Sequence, residues 1–235
     1  MKIVGIGHAM PSLTHQRAKR FAQWLKAEGM LIDTALSSNE AYEFSGYQTA
    51  LERLNEPQTI PNFPVLLVND TLFTKRWTGG WRILFKRLQK TALRGGVVYG
   101  DIRRLNAEYS YASSWFFYCP DSSALEHLRN ALLQTKTQAE LHWPNENVWL
   151  TGYVDSFLHP RSPWRGFLGP RDADSLHRKS QTIRWEHTLS ENLGDRVQPF
   201  PRSLASSALW VWWADRCLQR FHGNNWKRLL CSWKN

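Results

Sequence analysis

The sequence predicts an α/β fold: a mixed, mostly parallel sheet of Rossmann-like design, flanked by helices and followed by a helical, Trp-rich C-terminal extension. Three observations lead there. Short apolar runs such as KIVGIG (Lys2–Gly7) and FPVLLV (Phe63–Val68) show no polar alternation, as expected of strands covered on both faces. Amphipathic helical patterns separate these runs, the order that builds a parallel sheet. No repeat, low-complexity tract or linker interrupts the 235 residues, so they read as one domain.

Taken in order, Lys2–Gly7 is the first strand. Ser12 or Thr14 can cap the helix that follows, where Phe21, Trp24 and Leu25 recur at helical spacing until Gly29 stops it. Leu31–Leu36 is the second strand and ends in the polar loop Ser37-Ser38-Asn39. A helix is expected over about residues 44–55, before Pro57, Pro61 and Pro64 break the pattern. Phe63–Val68 is the third strand, and it stops at Asn69-Asp70-Thr71. Further on, Leu84–Leu93 reads as helix, Val97–Tyr99 and Trp115–Tyr118 as strands, and Ser122–Leu133 as a helix with Asp121 as its N-cap. The Trp-, Pro- and Gly-rich stretch 139–171 reads as mostly loop, and Ser175–Leu193 and Leu204–Phe221 as helices.

Composition narrows the classes. A chain of this length buries a core without disulfides, and 42% hydrophobic with 21% charged residues excludes wholesale disorder. The three cysteines, Cys119, Cys217 and Cys231, form neither a disulfide framework nor a zinc pattern, so reduced thiols in the cytoplasm are expected. The N-terminus lacks a signal peptide, and no apolar run reaches the ~20 residues that span a bilayer. A net charge of +10 draws phosphate, whether in a sugar nucleotide, an anionic lipid or nucleic acid. No RNP, KH or helix-turn-helix signature accompanies that charge, which argues against nucleic acid. Thirteen Trp residues suit cores, sugar-stacking surfaces and membrane interfaces alike.

Ligands of open parallel sheets bind beyond the carboxyl ends of the strands, and Asn69-Asp70-Thr71 follows such an end. A carboxylate there can hold a hard cation that neutralises a diphosphate. Asn and Asp also favour ordinary turns. The context favours the ligand reading. Residues 39–76, NEAYEFSGYQTALERLNEPQTIPNFPVLLVNDTLFTKR, resemble the core of bacterial glycosyltransferases related to the rhamnan-synthesis family. The matching pieces are Asn39, Phe44-Ser45-Gly46-Tyr47 and Val65–Leu72, with a weaker match through Gly100-Asp101 and Ser114–Phe117.

The resemblance implies a GT-A-like fold and transfer of a sugar from a nucleotide-diphosphate donor to a glycan or lipid-linked acceptor in bacterial surface polysaccharide synthesis. Residues 1–135 would bind the donor, and residues 136–235 would form the acceptor side and the C-terminal helical region. Asp70 would hold Mg²⁺ or Mn²⁺ beside the donor diphosphate. Asn39, Gly46, Asn69 and Thr71 would line the donor, with Gly46 letting a helix N-terminus approach phosphate closely. The family motif has two acidic residues, whereas this chain has Asn69 at the first position. An Asn oxygen can ligate a metal but carries no charge. That departure leaves a non-catalytic glycan- or nucleotide-binding protein of the same fold as one alternative, and the basic charge leaves a nucleic-acid-binding protein as the other.

Transfer with inversion needs a carboxylate to take the acceptor's proton, and the candidates are Asp101, Asp155 and Glu186. Asp101 follows a strand and Gly100. Glu186 lies on a predicted helix, four residues before Ser190. Glu186-His187 is no zinc motif, because no second His follows at the required spacing. Finally, Leu204–Ala214 (LASSALWVWWA) precedes basic residues interleaved with Trp and Leu. That pattern fits a core helix with a basic face, or an interfacial helix that would hold residues 204–235 against the anionic inner face of the cytoplasmic membrane.

Overall fold

In the computed structural model, the chain is described at residues 2–7, 23, 31–36, 43–53, 64–69, 79–105, 109–141, 148–159, 172–201 and 203–204. It divides into two compact units. The larger comprises Met1–Phe73 and Arg94–Pro199, and the smaller comprises Thr74–Leu93 and Phe200–Asn235.

The larger unit is built on a six-stranded open mixed sheet. Its strands are β1 (Lys2–Gly7), β2 (Leu31–Leu36), β3 (Val65–Asn69), β4 (Val98–Arg104), β5 (Ser110–Cys119) and β6 (Val197–Pro199), in the order β2-β1-β3-β5-β4-β6. The pairings β1–β2, β1–β3 and β4–β6 are parallel. β5 runs antiparallel to both of its neighbours. Among the described residues its helices include α1 (Glu43–Arg53), α3 (Ser122–Leu141), α4 (Val148–Leu158) and α5 (Ala173–Leu193); α2 (Gly79–Leu88) belongs to the smaller unit.

Alternation along β3 and β5 sends side chains to both faces, and both are buried. Val65, Leu67, Phe117 and Cys119 join a core with Phe44 and Tyr47 of α1, Leu125 and Leu128 of α3, and Leu189 and Leu193 of α5. Leu66, Val68, Phe116 and Tyr118 point the other way and are also buried. The unbroken apolar run of the third strand has this physical origin. Edge-to-face contacts of Tyr47 with Phe117 (centroids 5.8 Å apart) and of Phe44 with Trp185 (5.3 Å) lock α1 between the sheet and α5.

Asp121 caps α3 as expected, its Oδ1 accepting the Ala124 N–H at 2.8 Å. The same carboxylate also accepts the Gly96 N–H, at 3.0 and 3.2 Å. Gly96 takes φ +70°, and a Cβ on Gly95 would stand 2.2 Å from Asp121 Oδ2. The Gly-Gly pair therefore admits the carboxylate that ties the start of β4 to the start of α3. Asp121→Ala should lower the unfolding free energy by about 1–2 kcal/mol, read from the midpoint of urea denaturation.

Three expectations are refined. Within residues 139–171, expected to be mostly loop, α3 runs on to Leu141 and α4 occupies Val148–Leu158. Val148, Thr151, Gly152 and Val154 are poor helix formers. What fixes α4 is packing: Val154 and Leu158 cluster with Ile183 of α5. The helix expected at Leu84–Leu93 instead starts at Gly79 and ends at Leu88. β4 and β5 also run well beyond the predicted strands, because they pair with each other over most of their length. The predicted helices before Gly29 and after Leu204 fall outside the described residues, apart from Gln23, which is helical. Among the described residues no helix is long and apolar enough to cross a membrane.

Candidate active site

Strand order locates the first half of the site. The chain passes from β1 to β2 on one side, then crosses to β3 on the other side of β1. Strand order thus reverses between β1 and β3, where α/β sheets bind ligands. Ile6 pairs with Asn69 and Gly7 with Leu36, so the three parallel strands end in one line. α1 is the next described element after β2 and packs against β1 and β2. Gly46 lies in the first turns of α1 and is buried. Asn69 is the last residue of β3. Asn39, Asp70 and Thr71 fall outside the described residues, Asp70 one position beyond Asn69.

The second half is carried by β4 and β5, which extend past the end of β3. Val68 pairs with Phe116, and continuing that antiparallel register brings Ser114 beyond the carboxyl end of β3. A bulge sits here. Gly100 pairs with Phe117, but Asp101 pairs with Ser113, so Ser114–Phe116 leave the β4 ladder. Their backbone groups need other partners. Glu186 Oε1 accepts the Ser114 N–H at 2.8 Å and the Ser114 hydroxyl at 2.5 Å. Tyr47, next to Gly46, donates its hydroxyl to the Ser114 carbonyl. One turn along α5, the Ser190 hydroxyl accepts the Ala112 N–H at 2.8 Å and donates to the Glu186 carbonyl at 2.7 Å. Glu186 and Ser190 thus dock α5 on the bulged strand.

Around Glu186 stand groups that the sequence reading did not single out. Tyr109 and Tyr111 lie on the same side of the β5 chain and stack on the His187 ring, with centroids 5.2 and 4.5 Å away. Tyr153 of α4 closes on the same ring at 5.4 Å. His187 is fully buried and shares a hydrogen bond of 2.8 Å between Nδ1 and the Tyr109 hydroxyl. Burial pushes its pKa down to about 4, so the imidazole is neutral at physiological pH. The Tyr111 and Tyr153 hydroxyls are hydrogen-bonded to each other. Both phenols are held above their ordinary pKa, first by burial, with the Glu186 charge adding to it. They remain protonated and offer hydroxyls, not phenolates.

Asp101 lies at the bulge and pairs with Arg103, its Oδ2 receiving Nε at 3.0 Å and Nη2 at 2.9 Å. Asp101 pairs with Ser113, next to the Ser114 that Glu186 holds, and the Arg103 charge reaches Tyr111 and Tyr153. Asp155 does not join these residues. Two residues past Tyr153 on α4, Asp155 turns to the opposite side of the helix; its side chain is 77% exposed, with His159 at 4.0 Å. Cys119 is buried, and burial raises its thiol pKa well above the ordinary value. It is therefore a core residue and not a nucleophile.

A weak signal for the missed residues was present. Tyr109 and Tyr111 alternate just ahead of a strand, and His187 adjoins a singled-out carboxylate. Their convergence depends on the bulge and on α4, neither of which hydropathy patterns reveal. Among the described residues no group of three or more His, Cys, Asp or Glu side chains could hold a metal ion. The chain matches no protein-family model, no curated protein and no solved structure.

Proposed function

We propose that this chain is a GT-A-type glycosyltransferase that transfers a sugar from a nucleotide-diphosphate donor to a glycan or lipid-linked acceptor in bacterial surface polysaccharide synthesis. The observation that carries the reading is the alignment of Gly7, Leu36 and Asn69 at the strand-order reversal, one residue before Asp70. A diphosphate seated there would meet the start of α1, whose free N–H groups favour phosphate. Asp70, with the Asn69 carbonyl oxygen, supplies the hard oxygen donors that Mg²⁺ or Mn²⁺ prefers. Such an ion would neutralise the leaving diphosphate.

The acceptor would lie over the β4–β5 end of the same edge. Tyr111, Tyr153 and Arg103 offer hydrogen bonds to its hydroxyls, and Glu186 takes the proton from the attacking one. Asp101 orients Arg103 through the fork of its guanidinium.

One observation favours a second reading, a non-catalytic binding protein of the same fold. Glu186 Oε1 is engaged with the bulge and Asp101 with Arg103, so both carboxylates already have structural work. An assay of nucleoside-diphosphate release from UDP-, GDP- and dTDP-sugars separates the two readings. At least one donor should be turned over, with product formation dependent on added acceptor. Binding of a donor without turnover of any would establish the second reading.

A further inference from the structure

The charge of this protein is segregated. The smaller unit, Thr74–Leu93 with Phe200–Asn235, holds 12 of the 30 Lys and Arg and 1 of the 20 Asp and Glu. The larger unit holds the remaining 18 and 19. The sheet-bearing unit is therefore nearly neutral, and the whole excess of +10 resides in fewer than a quarter of the residues. These residues also carry 7 of the 13 Trp.

The two segments of the small unit are tied together. Arg87 Nη1 of α2 donates to the Ser203 carbonyl at 3.3 Å, and Leu204 is buried. α2 itself is two-sided. Leu84, Phe85 and Leu88 are buried, while Lys86, Arg87 and, just past the helix end, Lys90 are exposed. Twelve cations and a single carboxylate in one unit concentrate field on one partner of opposite sign. Solubility alone would spread the charge over the surface.

We infer that the smaller unit is a docking module for anionic phospholipid, and that it holds the sheet-bearing unit against a membrane. Lipid is favoured over nucleic acid by composition. Trp residues and the apolar run Leu204–Ala214 lie in the same unit as the cations, and Trp partitions into the headgroup region while Lys and Arg meet lipid phosphate. The inference rests on charge and composition and holds whatever reaction the larger unit performs.

Vesicle co-sedimentation of the full chain tests it. Phosphatidylcholine vesicles containing phosphatidylglycerol should bind the protein, and pure phosphatidylcholine vesicles should bind at least about tenfold more weakly. High salt should release the bound fraction. Lys86→Glu/Lys90→Glu, and separately Lys227→Glu/Arg228→Glu, should each weaken binding by roughly tenfold or more, with unchanged circular dichroism and thermal midpoint. Equal binding to both vesicle types would overturn the inference, as would either double variant binding like wild type. Tight binding to random duplex DNA at physiological salt, without vesicle binding, would replace lipid by nucleic acid.

Discussion

Glu186→Gln should leave the protein folded while lowering turnover by roughly 10²- to 10⁴-fold. The glutamine keeps a carbonyl oxygen where Oε1 now accepts the Ser114 N–H and hydroxyl, so the bulge keeps its partner. What disappears is the basic oxygen pair that can take a proton. The stability cost is confined to the charge-assisted part of two hydrogen bonds, about 1 kcal/mol. Glu186→Ala should behave differently. Ser114 is 1% exposed, and stripping the acceptor from its N–H and hydroxyl should cost about 2–4 kcal/mol. Running both variants through urea denaturation and a turnover assay separates the two roles. Full turnover in Glu186→Gln would reduce Glu186 to a support for the bulge and move proton transfer to Asp101.

The second large effect concerns acid. His187 is neutral and buried among Tyr109, Tyr111 and Tyr153, with a pKa lowered from 6.5 to about 4. Between those values the unfolded chain binds a proton that the native state refuses, so stability falls as pH drops through the window. The charged groups nearest the site, Glu186, Arg103 and Lys179, act on the surrounding phenols, and Glu191 acts on Tyr109. Desolvation is the cause resolved for His187 itself. The loss accumulates to roughly 3 kcal/mol once pH is below about 4, and is absent above about 7. His187→Phe keeps a ring between the tyrosines but loses the proton linkage and the bond to Tyr109. Its unfolding free energy should be lower near neutrality and should fall less steeply from pH 6.5 to 4 than that of wild type, measured by urea denaturation at successive pH values. Parallel pH profiles would show that this histidine is not the linked group.

How much of this could be read from the sequence varies with the physics. β1 and β2 match the predicted residues, and β3 nearly does, its apolar run being buried on both faces. The Asp121 cap was legible from a local rule, a short acidic side chain ahead of a helical pattern. α4 was not, because its residues disfavour helix and only contact with Ile183 and its neighbours on α5 holds it there. At the candidate site, Asp101 was reached through the weaker part of the resemblance and a strand end, and Glu186 as a carboxylate on a predicted helix. Their surroundings were not, because the shift between Gly100 and Asp101 that re-aims β5 leaves no periodic trace. Asp155 was a candidate only as a carboxylate, and its place on α4 turns it away from Tyr153 and the cluster. Patterns along a chain disclose a side chain's face once the element is known, and here the element itself was missing.

The central claim is that the strand-order reversal between β1 and β3, extended by Asp70, receives a donor diphosphate. Titration calorimetry of UDP, GDP and dTDP, with and without Mn²⁺, on wild type and Asp70→Ala tests it most directly. One nucleotide should bind the wild type with a Mn²⁺-dependent affinity, and Asp70→Ala should lose at least about tenfold, with the metal dependence gone. Equal affinity in the two proteins, or no binding of any nucleotide, would contradict the account.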